Sequence, residues 1–189
     1  MPPPTLSLAA PSMSIPLDPP RVAELAGAYG RTVFLSAFRV LGDAAQAEDV
    51  QQDLFVQLLE RPVPEVGNWP AFLATSATRM AIDRLRRQRR WLRLLPEVAL
   101  QALGASVPQP DQHADQAEQA AWLRARLARL PRLQAQCFAL RHLDGLDNAA
   151  IARALGIAPG HVAVCLHRAG RALCAHITPW TANEPEKLP

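Results

Sequence analysis

Apolar residues recur every three or four positions along most of this chain, and alternating β-branched runs are missing. Val22, Leu25, Ala26, Tyr29, Val33, Ala37, Val40 and Leu41 give one long apolar side to residues 21–41. Ala47, Val50, Leu54 and Leu58 do the same over 47–59, and Leu73, Ala77, Ala81 and Leu85 over 71–90. That period predicts three amphipathic helices. Gly42-Asp43 supplies a turn and an N-cap before the second helix. Pro62 and Pro64 end it, because proline cannot donate the interior hydrogen bond. Residues 65–70 are then a loop carrying Trp69.

The second half repeats the helical period in shorter pieces. A helix is expected over 121–130, and Pro131 starts another at a first-turn position, where its missing donor does no harm. Asp144-Gly-Leu146 reads as a turn and Asp147 as the N-cap of a short helix over 148–155. Gly156 ends that helix as a left-handed cap, and Ala158-Pro-Gly160 opens a last one reaching about 177. Within it Val162, Leu166, Ala169 and Leu173 repeat inward, while Val164, His167, Arg168 and Arg171 point outward. This is the spacing of a helix-turn-helix, whose second helix lies in a DNA major groove.

The predicted fold class is therefore all-α: two helical domains joined by a flexible linker, the second with a helix-turn-helix. The boundaries are a proline-rich tail over 1–20, a first domain over 21–95, a linker over 96–117, a second domain over 118–178 and a tail over 179–189.

Charge divides the first domain in two. From Asp43 to Glu65 there are six acids and one base; from Arg79 to Arg93 there are seven arginines and one acid. Asp49, Gln52, Asp53 and Val56 stand at i, i+3, i+4 and i+7, one stripe opposite the apolar side of their helix. Arg79, Arg86 and Arg90 share a face of the next helix with Arg87 at its margin, and Asp83 is placed to steady Arg79 and Arg87 through i,i+4 pairs. Beside them lie Trp69 and Phe72, a combination that suits phosphate contact and base stacking on single-stranded or melted DNA. Opposite charges on neighbouring helices point to two partners, one basic and one bearing phosphates.

Other chemistry finds little support. There is no phosphate loop, no nucleophile–base spacing and no metal set, so an enzyme, a catalytic residue, a cofactor and a metal site are not expected. His161 and Cys165 are four apart on one helix, but two further ligands are not evident. Three cysteines without paired spacing fit reduced thiols in the cytoplasm. No apolar run is long enough to span a membrane, and no secretory signal is read at the N-terminus.

Four stretches together resemble a bacterial RNA polymerase sigma factor of the extracytoplasmic-function (ECF) group. They are residues 41–55; Ala71-Phe-Leu with 77–87; Leu130-Pro-Arg with 138–146; and Ile151-Ala-Arg-Ala-Leu-Gly-Ile157 with 160–173. The resemblance implies that Asp49, Gln52, Asp53 and Val56 dock on core RNA polymerase. It implies that Asn68, Trp69, Arg79, Arg86, Arg87 and Arg90 engage the melted minus-ten promoter element. His161, Val164, His167, Arg168 and Arg171 would read the minus-thirty-five element. It further implies an anti-sigma factor as a partner, besides core polymerase and promoter DNA. Arg79 stands where relatives tend to have asparagine, and Ala163 and Cys165 where they usually have lysine or arginine. Two other readings keep part of the pattern: a helix-turn-helix regulator that never joins polymerase, and a helical adaptor that binds only protein.

Overall fold

A computed structural model describes residues 16–94 and 116–175. These form seven α-helices with no strand among the described residues: α1 (Pro19–Leu41), α2 (Ala44–Glu60), α3 (Trp69–Leu92), α4 (Gln116–Leu127), α5 (Arg132–His142), α6 (Asn148–Leu155) and α7 (Pro159–Cys174). Residues 1–15, 95–115 and 176–189, which hold most of the expected linker, most of the N-terminal tail and all of the C-terminal one, lie outside the described residues.

The helix ends follow their local chemistry. Gly42 closes α1 at φ 67°, and its N–H donates to the Phe38 carbonyl. Asp43 caps α2 by accepting from the Gln46 N–H at 2.9 Å. Gly156 closes α6 at φ 65°, and the Asp147 carboxylate caps that helix through the Ala150 N–H at 2.6 Å. Three starts come earlier than the hydrophobic period places them; one is α4, which begins at Gln116 rather than 121, inside the expected linker, and ends at Leu127. Helix α1 begins at Pro19, and Leu17 packs on the core and donates its N–H to the Leu58 carbonyl, so 17–20 belong to the domain rather than to a tail. Helix α3 begins at Trp69, since Pro70 suits a first turn once Asn68 caps it.

Helix α1 packs across α2 and α3. Val33, Ala37 and Val40 of α1, Ala47 and Val50 of α2, and Leu73, Ala77, Ala81 and Ile82 of α3 are buried in one core. Helices α5, α6 and α7 enclose a second, smaller core of Cys137, Leu140, Ile151, Ala152, Val162 and Cys165. Helices α6 and α7 meet at 105°, within the range of roughly 90–120° typical of a helix-turn-helix. One inward position differs from expectation. Cys165 is buried and Leu166 only half-buried, because the stripe facing α5 runs Val162, Cys165, Ala169, Leu173. Cys165 is thus a core residue, and its not being basic says nothing about the outward face.

The two modules pack on each other. Leu127, Leu130, Ala135, Ala139, Ala169 and Leu173 of the second module join the core of the first. Each fully buried leucine contributes on the order of 1.5–3 kcal/mol. Polar contacts rim this seam: Arg132 pairs with Asp83, Arg86 donates to the Leu130 carbonyl, and Asp144 receives Thr78 and Arg39. The Arg124 guanidinium lies so close to Gly42 that any side chain there would collide with it. Asp83 therefore serves the seam, in place of the intrahelical pairs with Arg79 and Arg87 that its spacing allows.

Candidate nucleic-acid and protein-binding faces

The acidic stripe is intact on α2. Asp49, Gln52 and Asp53 are exposed, and Val56 at the C-terminal end of the stripe leaves 47% of its surface to solvent. The stripe therefore offers carboxylates and an amide with one apolar contact at its end, a surface complementary to a basic partner. Asp49 also receives Arg84 of α3, a residue the spacing of the apolar positions did not single out. That pair ties the start of α2 to the middle of α3 and orients the stripe.

The predicted DNA residues of the first module divide into two groups. Asn68 and Arg79 line one hollow of about 480 Å³ with Phe72, and Leu146, Ala150 and Arg153 of the second module also line it. Arg79 and Arg87 also border a cleft of about 540 Å³ between α2 and α3, which Asp53, Arg84 and Arg132 share. Asn68 is a helix cap as well as a surface group: its side chain accepts from the Ala71 N–H at 3.0 Å. Trp69 is half-buried, edge-on to Phe72 with ring centroids 5.8 Å apart, and packs on the core. Its ring is partly committed to holding the loop. Arg86 and Arg90 lie in a separate cleft at the seam with Arg89, Arg93 and Arg129. Arg86 is half-buried there.

In the second module, His161, Val164, His167, Arg168 and Arg171 are all exposed along α7. Val162 and Cys165 anchor the opposite side of the helix in the small core, and Ala169 anchors it in the core shared with the first module. The outward face is thus presented on a rigid helix, with two arginines able to reach guanine edges or phosphates and a valine able to meet a thymine methyl.

Sequence reasoning missed the seam. Asp144 is 6% exposed at its side chain, and burial raises its pKa above the ordinary carboxylate value. The Thr78 and Ser36 hydroxyls and the Arg39 charge offset that in part. Burial, then the charges of Arg93, Arg129 and Arg86, lowers the pKa of Arg89. Cys137 is pushed up to about 12, first by burial and then by its neighbour Cys165. Among the described residues no group of three or more His, Cys, Asp or Glu could hold a metal ion. None of the single helices described is long and apolar enough to cross a membrane.

The two modules coincide with two known regions. The family description "Sigma-70 region 2" matches residues 25–91, and "Sigma-70, region 4" matches residues 120–173. The chain is 31% identical over 120 residues to the ferric citrate uptake sigma factor FecI of Escherichia coli K12, covering 63% of this chain and 69% of that one. Its fold is similar to the sigma factor RpoE in the solved complex with the anti-sigma factor NepR from Bartonella quintana. That match has a TM-score of 0.51 at 18% identity, over 87% of this chain and 99% of the other. The chain belongs to the sigma-70 family, as a sigma factor of the extracytoplasmic-function group.

Proposed function

We propose that this sigma factor docks on core RNA polymerase through Asp49, Gln52, Asp53 and Val56, and directs it to promoters by presenting two DNA faces. One observation carries the reading: a continuous acidic stripe with an exposed valine stands beside an arginine-rich helix on the same rigid module. Asn68, Arg79 and Arg87 border hollows where an unstacked base and its phosphates can be held; that capture is how a melted minus-ten strand would be kept open. Trp69 holds the loop, with its half-exposed ring available for stacking. Helix α7 reads duplex DNA upstream through His161, Val164, His167, Arg168 and Arg171. The protein acts in the cytoplasm, catalyses no reaction itself and is held in check by an anti-sigma factor.

The test is run-off transcription with purified core polymerase and a library of genomic fragments, comparing native protein with Asp49→Ala/Gln52→Ala. Both positions are exposed, and a surface ion pair such as Asp49–Arg84 contributes about 0–1 kcal/mol, so the variant folds. Discrete transcripts that vanish in the variant support the reading. Absence of both transcripts and a polymerase complex with native protein would sink it, leaving a DNA-binding regulator that does not join polymerase.

A further inference from the structure

Five arginines meet at one edge of the seam. Arg86, Arg89, Arg90 and Arg93 come from the C-terminal turns of α3, and Arg129 comes from the turn between α4 and α5. With Ala128 they line a cleft of about 290 Å³, and no carboxylate is among the lining residues. That size falls just below the range of drug-sized ligand clefts, roughly 300–1,000 Å³, and suits a smaller ligand. We propose that this cleft is a binding site for a compact polyanion of two or three linked phosphates, and that the polyanion bridges the two modules.

Donor chemistry favours such a ligand. A guanidinium offers five N–H donors in a planar fork. Arg86 directs one to the Leu130 carbonyl and Arg89 one to the Ala128 carbonyl, which fixes both side chains across the seam and leaves their other donors. Forked guanidinium pairs on phosphate are among the stronger charge-assisted contacts. The burial of Arg89 and the repulsion from its neighbours disfavour its charged form, and the opposite charge of a bound anion would offset that. Nearby, Arg126 has a buried Nε with no hydrogen-bond partner and feels the charge of Arg129.

The cleft is complete only while the modules are packed together, because Arg129 belongs to the second. A ligand that needs Arg129 therefore binds the packed form better and stabilises it by linkage. Arg86 and Arg90 are also assigned to the melted strand, so the polyanion and the strand would compete for them. A strand differs in that it is long and must continue beyond the cleft, which Ala128 and Arg129 of the turn line on one side.

The experiment is thermal unfolding of the full chain, without magnesium, polymerase or promoter, so its outcome is separate from that of the promoter reading. Sodium tripolyphosphate is the probe, with sulfate at matched ionic strength as the control for screening. At a hundredfold excess over Kd, the midpoint should rise by roughly 5–10 °C. Arg129→Ala should lose more than half of that rise, and Arg21→Ala, on the exposed start of α1, should keep it. ATP shows the source: a similar rise places the tail of a nucleotide in the cleft, and no rise places free polyphosphate there. An equal rise with sulfate, or an equal rise in Arg129→Ala, overturns the site. So does an Arg129-dependent rise seen with a single-stranded oligonucleotide and not with tripolyphosphate.

Discussion

The Thr78 hydroxyl donates to Oδ2 of Asp144 at 2.5 Å, joining α3 of the first module to the turn that follows α5 of the second. Thr78 is fully buried and Ser36, also buried, shares the same carboxylate. Arg39 closes the group from α1 at 3.4 Å. Two hydroxyls and a charge from the first module thus converge on one acid of the second.

Asp144→Ala removes the acceptor and strands two buried hydroxyls. An unsatisfied buried polar group costs about 1–3 kcal/mol, and here the molecule can avoid that cost by letting the modules part. The expected outcome is a larger radius of gyration by small-angle scattering, with helical circular dichroism unchanged. An unchanged radius together with unchanged stability would rule out the latch.

The same carboxyl makes packing depend on pH, with a definite sign. Burial, its largest influence, raises its pKa in the packed form above the ordinary 3.8, while Thr78, Arg39 and Ser36 pull it partly back. The packed form therefore holds the proton more tightly than an exposed or unfolded one. Its contribution is fully present below about 3.8 and is lost as pH rises through the raised value. Asp144→Asn has no such dependence. The stability of native protein minus that of Asp144→Asn, read from urea midpoints, should grow as pH falls toward 3.8; a flat or falling difference contradicts the assignment.

Asp83 and Arg132 form a second cross-module pair, with side chains 31% and 58% exposed. A pair this exposed contributes about 0–1 kcal/mol, so Asp83→Arg should loosen packing less than Asp144→Ala does. Adding Arg132→Asp re-creates the attraction with reversed polarity. A double-mutant cycle that shows no recovery in the reversed pair would mean that Asp83 acts through α3 alone.

How far the sequence could be read follows from what each feature depends on. Caps at Asp43, Asp147 and Gly156 depend on neighbours within four residues, and they stand where the pattern places them. So do the acidic stripe on α2 and the outward face of α7, since helical period alone sets them. The seam depends on residues far apart: Thr78 and Asp144 are 66 positions apart, and Arg86 and Leu130 are 44. No periodicity shows that Ser36 is buried because a distant acid covers it. Cys165 is the same lesson on a small scale. The family resemblance marks it as a position where relatives usually carry a base, while the packing of α5 on α7 makes it core.

The cysteines should differ sharply in reactivity. Cys137 and Cys165 are buried, and Cys174 is exposed. Because the thiolate is the reactive form, a Cys137 pKa of about 12 leaves it inert at about pH 8. Brief iodoacetamide treatment of native protein, counted by mass spectrometry, should modify Cys174 first, with the other two modified only on unfolding. The raised value also means that stability from Cys137 is lost as pH climbs from 9.0 toward 12. Rapid modification of Cys137 in folded protein would show that the small core opens.

The two DNA faces should respond differently before polymerase is present. The outward side of α7 is open in the packed form, so Arg168 can meet duplex DNA in the free chain. Arg168→Ala should weaken duplex binding by about 1–3 kcal/mol, roughly 5- to 150-fold, in the free protein as well as in the holoenzyme. Arg79 faces a hollow that Ala150 and Arg153 of α6 also line. In the packed form α6 shares that hollow, so a melted strand gains room in it when the second module moves away. Arg79→Ala should therefore leave free-chain binding unchanged and lower only polymerase-dependent promoter opening, measured by permanganate reactivity of unpaired thymines. Equal losses in the free chain for both variants would mean that the hollow is already accessible and that packing does not guard it.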